Sequence, residues 1–153
     1  MTRVFIAIGS NLKNREDNLK EAWQQLERTV CIKMEKASPV YETDPVGGPM
    51  QGKYLNAVWE IKTSFTPVEL LNELLRLENR MGRRRTVPNA PRTIDLDILF
   101  YGNQTIQRKG LQIPHPRLHE RWFVLKPLAD LAPDFIHPIL KKTVTILLKD
   151  LSS

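Results

Sequence analysis

Among 153 residues there is a single cysteine, Cys31. One thiol excludes an internal disulfide and a thiolate metal site. Its apolar neighbours Val30 and Ile32 predict a buried, inert side chain, and nothing in the sequence supplies the His and orienting partner of a catalytic cysteine. Long hydrophobic runs are also missing. No stretch approaches the roughly 20 apolar residues that span a bilayer. The short run at 4–8, after Arg3, lacks the apolar core and cleavage site of a secretory leader. A cytoplasmic location with no membrane partner is therefore expected. The common phosphate and metal signatures are absent too. Gly47-Gly48 is not followed by Gly-Lys-Ser/Thr, and there is no zinc spacing and no nucleophile elbow. Repeats, low-complexity segments and linkers are likewise absent.

What remains reads as one domain over residues 1–153, long enough to bury a core. The composition, 41% hydrophobic and 26% charged, is ordinary for a globular chain. The net charge of +6 is concentrated: Arg80, Arg83, Arg84, Arg85 and Arg92 fall within thirteen residues uninterrupted by a carboxylate. A local excess of this kind favours a phosphate pocket over a general solubility effect.

The apolar run at 4–8 predicts a central strand buried on both faces, and Gly9-Ser10-Asn11 a turn after it. Residues 15–28 read as a helix, with Leu19, Ala22, Trp23 and Leu26 on one face and Asn14 as its cap. Residues 32–41 and 54–63 alternate and predict strands; the second places Leu55, Ala57, Trp59 and Ile61 opposite Asn56, Val58, Glu60 and Lys62. Between them, residues 43–53 form a Gly- and Pro-rich loop. Thr66-Pro67-Val68-Glu69 is a capping box opening a helix whose stripe is Leu70, Leu71, Leu74, Leu77 and Met81, stopped by Gly82. A basic loop over 83–91 leads into a strand over 93–101, and helical pieces follow near 125–131 and 144–151. This order predicts an α+β fold: a ferredoxin-like, antiparallel four-stranded sheet with helices packed on one face and extra C-terminal helices.

Asp95 and Asp97 lie two apart on a strand, so they share a face, with Ile94, Leu96 and Ile98 on the other. Two adjacent carboxylates repel unless a cation sits between them. Magnesium, with its preference for carboxylate, water and substrate phosphate, answers that need. The bland alternative is a solvated edge strand, but Asp is a poor strand former. Arg83, Arg85 and Arg92 stand just before this strand, and guanidinium is suited to bidentate phosphate contact. Together they outline a polyphosphate clamp. His115, between Pro114 and Pro116, is as consistent with a structural role as with a phosphate contact, while His119 and His137 read as surface residues. Tyr54 and Asn56 offer a ring and an amide to a flat heterocycle, although their spacing alone favours an ordinary cross-strand pair. Arg121 and Phe123 give a cation and a ring at a spacing that is weak by itself.

These segments together resemble the 6-hydroxymethyl-7,8-dihydropterin pyrophosphokinase family over nearly the whole chain. The resemblance rests on Ala7-Ile8-Gly9-Ser10-Asn11-Leu12, Tyr41-Glu42-Thr43, Tyr54-Leu55-Asn56-Ala57, Glu78 and the arginine loop. It continues through Ala90-Pro91-Arg92-Thr93-Ile94-Asp95-Leu96-Asp97-Ile98-Leu99, Ile113-Pro114-His115-Pro116-Arg117 and Arg121-Trp122-Phe123-Val124-Leu125. It implies transfer of pyrophosphate from ATP to the pterin hydroxymethyl group, with attack at the β-phosphorus, release of AMP and a role in folate biosynthesis. It implies two Mg2+ ions on Asp95 and Asp97, and Arg83 and Arg92 in catalysis. ATP contacts would come from Glu78, Arg85, Arg92, Ile98, Leu111, Gln112, His115 and Arg121. The pterin would be held by Thr43, Asp44, Val46, Tyr54, Asn56 and Phe123. The loops at 43–53 and 82–91 would close over both substrates. Asn89, where many members have an aromatic residue, and Asp44 and Val46, where Pro and Leu are frequent, depart from the pattern. The implied partners are two small molecules acting on a monomer, with no nucleic acid.

Two other functions compete. A nucleic-acid-binding module suits the charge and topology, but the stacking aromatics of the usual RNA-binding sheet are missing and the paired aspartates would repel phosphate without metal. A kinase passing a single phosphate is separable by its product, ADP instead of AMP.

Overall fold

The computed structural model describes residues 1–11, 14–44, 53–82 and 94–152. Its strands are β1 (Thr2–Ser10), β2 (Ile32–Ala37), β3 (Tyr41–Thr43), β4 (Tyr54–Thr63), β5 (Asp95–Tyr101), β6 (Ile106–Arg108) and β7 (Leu111–Ile113). Its helices are α1 (Arg15–Glu27), α2 (Pro67–Arg80), α3 (Trp122–Leu131) and α4 (Val144–Ser152). The fold is α+β, with strand order β2-β4-β1-β5 and β3 added to β4; every pairing is antiparallel. The sheet thus has five strands where four were expected, and β6 and β7 form a separate two-stranded hairpin.

The fifth strand arises because the segment predicted as one strand over 32–41 is broken at Ser38-Pro39. Proline has no N–H for the ladder. The Ser38 hydroxyl instead accepts the Val58 N–H at 2.9 Å, and the chain pairs again as β3, Tyr41 opposite Asn56. At the other end of the first predicted strand the expected turn is displaced: β1 runs on through Gly9 to Ser10.

Helices cover both faces of the sheet, not one. On the first, α1 and α2 bury Leu19, Ala22, Leu26, Leu70, Leu74 and Leu77 against Val4, Ile6 and Ile8. On the second, α3 and α4 bury Val124, Leu125, Leu128, Val144 and Leu147 against Phe5, Val58, Leu99 and Phe100. Each such side chain contributes about 1.5–3 kcal/mol of apolar burial, so the C-terminal helices are a full third layer. That layer explains why β4 is buried along nearly all its length, including Asn56, Val58 and Glu60. Glu60 is held there by the Arg3 Nε at 3.1 Å, whose guanidinium also lies over the Phe5 ring.

The strand carrying the acidic pair alternates as expected: Ile94, Leu96 and Ile98 enter the first core. Its register with β1 then slips between Phe5 and Ile6. The extra residue, Leu99, lets both Leu99 and Phe100 enter the second core.

Local chemistry agrees with the sequence at α2, where the Thr66–Glu69 capping box is complete and Gly82 takes the left-handed conformation after the helix. It differs at three other positions. Asn14 begins α1 at φ 58°, a conformation Asn tolerates, and its side chain makes no cap bond. Cys31 is half-buried instead of buried, and its apolar neighbour Val30 projects into solvent, 94% exposed. His137, expected at the surface, is 4% exposed, and His119 beside it is half-buried. The His137 Nδ1 accepts the N–H groups of Ile139 and Leu140 at 3.1 and 3.0 Å, and its ring meets Phe100 edge-on.

Burial, followed by the proximity of His119, lowers the His137 pKa to about 4. A base whose folded pKa is depressed stabilises the fold fully above its unfolded value, near 6.5, and loses that contribution as pH falls toward the folded value. The melting temperature should therefore fall on going from pH 7 to pH 4.5, with about 2 kcal/mol traceable to this residue. In His137→Gln the same pH change should cost less; an equal fall in both proteins would show that His137 is not the group responsible.

Candidate functional site

The functional face is the one shared with α3. Across three strands the register sets Asn56 of β4, Gly9 of β1 and Asp95 of β5 abreast, with Val58, Ala7 and Asp97 abreast in the next row. Further along, this face is sealed by α3 and α4. At this end it is left open as a cavity of about 360 Å³. Ala7, Gly9, Thr43, Asp44, Tyr54, Asn56, Asp95 and Asp97 line one side, and Arg117, Arg121 and Phe123 the other.

Two ties hold these walls together. The Tyr41 hydroxyl donates to the Asp130 carboxylate, which also meets the Lys126 Nζ at 3.1 Å. The Tyr41 ring packs edge-on against Trp122, with centroids 5.6 Å apart. Strand β3, and with it Thr43, is thereby fixed to the start of α3, where Arg121 and Phe123 stand. Within the sheet, the Asn56 Nδ2 donates to the Thr43 Oγ1 at 2.6 Å. The Arg121 guanidinium lies 5.9 Å from the Phe123 ring centre.

A second cavity, of about 410 Å³, adjoins the first at the edge strand β5. Its walls are apolar where Leu71, Leu96, Ile98 and Leu111 meet, and polar at Gln112, His115, Arg108 and Lys109. Asp97 lines both cavities. His115 is held beside it: its backbone N–H bonds to the Leu99 carbonyl at 3.0 Å, and its Nδ1 accepts the Arg117 N–H at 3.2 Å. Burial lowers the His115 pKa, opposed by Asp97 and assisted by Arg121 and Arg117. The Nδ1 is thus engaged with the backbone, which leaves Nε2 as the ring nitrogen available to a ligand.

The structure brings most of the expected site residues together and redistributes two. Arg121, expected with ATP, lines the first cavity beside Phe123. Glu78, also expected at ATP, lines neither cavity; it is 2% exposed, and its Oε2 accepts the Leu96 N–H at 2.8 Å. Val46, Arg83, Arg85, Asn89 and Arg92, and most of the two expected closing loops, lie outside the described residues. Ala7, Gly9, Leu71, Arg108, Lys109 and Arg117 also line the cavities, although the sequence alone predicts no ligand contact for them. For Arg108 and Lys109 the available signal was their position just before Leu111 and Gln112, in what proves to be a tight hairpin.

The donor set suits magnesium brought in with a phosphate substrate. Asp95 is half-buried and Asp97 exposed, both facing the cavity. Among the described residues no third carboxylate, His or Cys completes a metal-holding cluster. Magnesium characteristically takes one or two carboxylates and fills its remaining positions with water and substrate phosphate, so two aspartates suffice.

Comparison with known proteins identifies the family. The profile of the family described as 7,8-dihydro-6-hydroxymethylpterin-pyrophosphokinase (HPPK) matches residues 5–133. The chain is 46% identical over 127 residues to the 2-amino-4-hydroxy-6-hydroxymethyldihydropteridine pyrophosphokinase of Bacillus subtilis, covering 83% of this chain and 76% of that protein. It is 39% identical over 142 residues to the enzyme of the same name from Aquifex aeolicus, covering 93% and 88%. The fold matches a crystal structure of wild-type HPPK-DHPS from Plasmodium falciparum with pteroate at a TM-score of 0.77 and 16% identity, covering 97% of this chain but only 42% of the longer one. At that identity the likeness is one of fold. The profile match over most of the chain, and the near full-length relatives, establish that this protein belongs to the 6-hydroxymethylpterin pyrophosphokinase family of folate synthesis.

Proposed function

We propose that this pyrophosphokinase binds 6-hydroxymethyl-7,8-dihydropterin in the first cavity and ATP in the second, and transfers the pyrophosphoryl group between them past Asp97. The observation that carries this reading is that Asp97 lines both cavities. A group passed directly from one ligand to the other must cross at a shared wall, and that wall is anionic and suited to metal.

The pterin hydroxymethyl oxygen attacks the β-phosphorus of ATP. A new P–O bond forms there, the bond from the β-phosphorus to the oxygen of the α-phosphate breaks, AMP leaves and the hydroxyl proton is released. Asp95 and Asp97 hold two Mg2+ ions, which when bound supply charge neutralisation for the phosphates. Arg121 extends positive charge along the first cavity, and His115 donates its Nε2–H at the boundary of the second. Arg83, Arg85 and Arg92 complete the cationic clamp as the family resemblance assigns them. Ile98, Leu111 and Gln112 receive the adenine. Asn56, aligned by Thr43, reads the pterin edge, with Tyr54 and Phe123 as the rings available for stacking. Residues 1–153 work as one domain, as a monomer and in the cytoplasm. Separately, no described helix is long and apolar enough to cross a membrane.

The test incubates the protein with ATP, magnesium and 6-hydroxymethyl-7,8-dihydropterin and follows nucleotide products. AMP released only in the presence of pterin supports the reading, while ADP would replace it with single-phosphate transfer. A further expectation concerns stacking. Tyr54→Ala should raise the KM for the pterin about tenfold, since stacking a heterocycle on a ring is worth roughly 1–3 kcal/mol. The KM for ATP should stay within about twofold. Equal changes in both constants would remove Tyr54 from the pterin wall.

A further inference from the structure

Gly9 is the penultimate residue of the central strand β1, paired on one side with Asn56 of β4 and on the other with Asp95 of β5. Its backbone is not left-handed; among the described residues the left-handed glycines are Gly82, Gly102 and Gly110. Extended backbone is open to any residue, so conformation does not require glycine here. A glycine inside a strand is also unfavourable, by about 0.5–1 kcal/mol relative to alanine. Such a glycine often marks a bulge, a bend, or the close approach of a ligand or another backbone; the register is regular at Gly9, the slip in β1 lying at Phe5 and Ile6.

The surroundings identify that space. A Cβ at position 9 would lie 3.4 Å from the Asn56 Oδ1, 3.6 Å from the Tyr54 Cδ1 and 3.7 Å from the Leu55 carbonyl oxygen. These are ordinary contacts, so no neighbour would have to move, but the methyl would stand in the opening between the Asn56 amide and the Tyr54 ring. Gly9 lines the first cavity with both of them. Asn56 is 9% exposed, and its one side-chain hydrogen bond to the described residues is the donation to Thr43. Its amide oxygen therefore faces the gap without a donor from the described residues. A buried acceptor left so costs about 1–3 kcal/mol unless a ligand or water supplies the donor.

We infer that Gly9 is a specificity-determining position: its missing side chain forms the slot through which the donor edge of a flat heteroaromatic substrate reaches the Asn56 amide oxygen. The inference rests on the assignment of the first cavity to the pterin. On the other side of Gly9, Asp95 stands in the same row, so the slot also directs the ring toward the acidic pair.

The experiment compares the wild-type protein with Gly9→Ala in the AMP-release assay, in direct binding of the pterin followed by calorimetry, and in thermal melting. An intruding methyl group should weaken pterin binding and raise its KM roughly tenfold to a hundredfold, with the KM for ATP within about twofold. The melting temperature should be unchanged or slightly higher, because alanine restricts the unfolded chain. Lower pterin affinity in a protein at least as stable is a combination that a purely structural glycine does not produce. Pterin affinity in Gly9→Ala within twofold of wild type would overturn the inference while leaving the activity standing, as would a lowered melting temperature with both substrates affected alike. If the wild-type protein neither binds nor turns over the pterin, the assignment of the cavity fails first and this inference with it.

Discussion

Replacing Asp97 with alanine should lower kcat by about a thousandfold or more while leaving the fold intact. Neutralising charge at a transferring phosphoryl group is worth several kcal/mol, and each 1.36 kcal/mol is a factor of about ten in rate. Asp97 is exposed to the cavities and belongs to neither core, so the melting temperature should change by no more than about 2 °C, as for a surface substitution. Because it borders both cavities, its loss should fall on kcat more than on either KM. Asp97→Asn should behave similarly, since the amide keeps the shape but not the charge. Circular dichroism and melting, measured beside the AMP assay, separate the outcomes. An unfolded variant would contradict the two-faced reading of β5, and a folded variant with near wild-type turnover would remove Asp97 from the reacting centre.

The acidic strand was legible because its logic is local. Period-two alternation places Asp95 and Asp97 opposite Ile94, Leu96 and Ile98, and no tertiary context is needed to see it. The capping box at Thr66–Glu69 is local in the same sense, and β4 has the predicted bounds. What was not legible depended on distant chain. The polar side of β4 reads as solvent-facing until α3 and α4, some 70 residues later, cover it. The break at Ser38-Pro39 that creates β3 depends on Val58 accepting and donating across it. His137 has no periodic signal for burial; its place comes from two backbone N–H groups in its own loop and from Phe100. Gly9 is the clearest case within the site. Read with Ser10 and Asn11 it suggests a turn, and only its strand partners Asn56 and Asp95 show that its contribution is empty space.

Glu78 carries the second large expectation, through stability and activity together. A carboxylate 2% exposed on a helix is costly to bury. It is offset here by the Leu96 N–H at 2.8 Å, a backbone group located between Asp95 and Asp97. The end of α2 thus holds the acidic strand from the core side, and the aspartates on the opposite face inherit that anchoring. Glu78→Ala leaves the Leu96 donor buried without this acceptor and opens a void in its place. About 2 kcal/mol of stability should be lost, lowering the melting temperature by roughly 4–8 °C for a chain of this size. Turnover should fall at least about tenfold even well below the melting transition, because misplacing catalytic groups by an ångström is expensive. Glu78→Gln keeps a carbonyl acceptor and should recover part of both losses. Had Glu78 acted by touching ATP, the alanine variant would instead keep its melting temperature and show its defect chiefly in the KM for ATP. The melting curve and the kinetic split, taken on the same preparation, decide between a buried support for the acidic strand and a direct nucleotide contact.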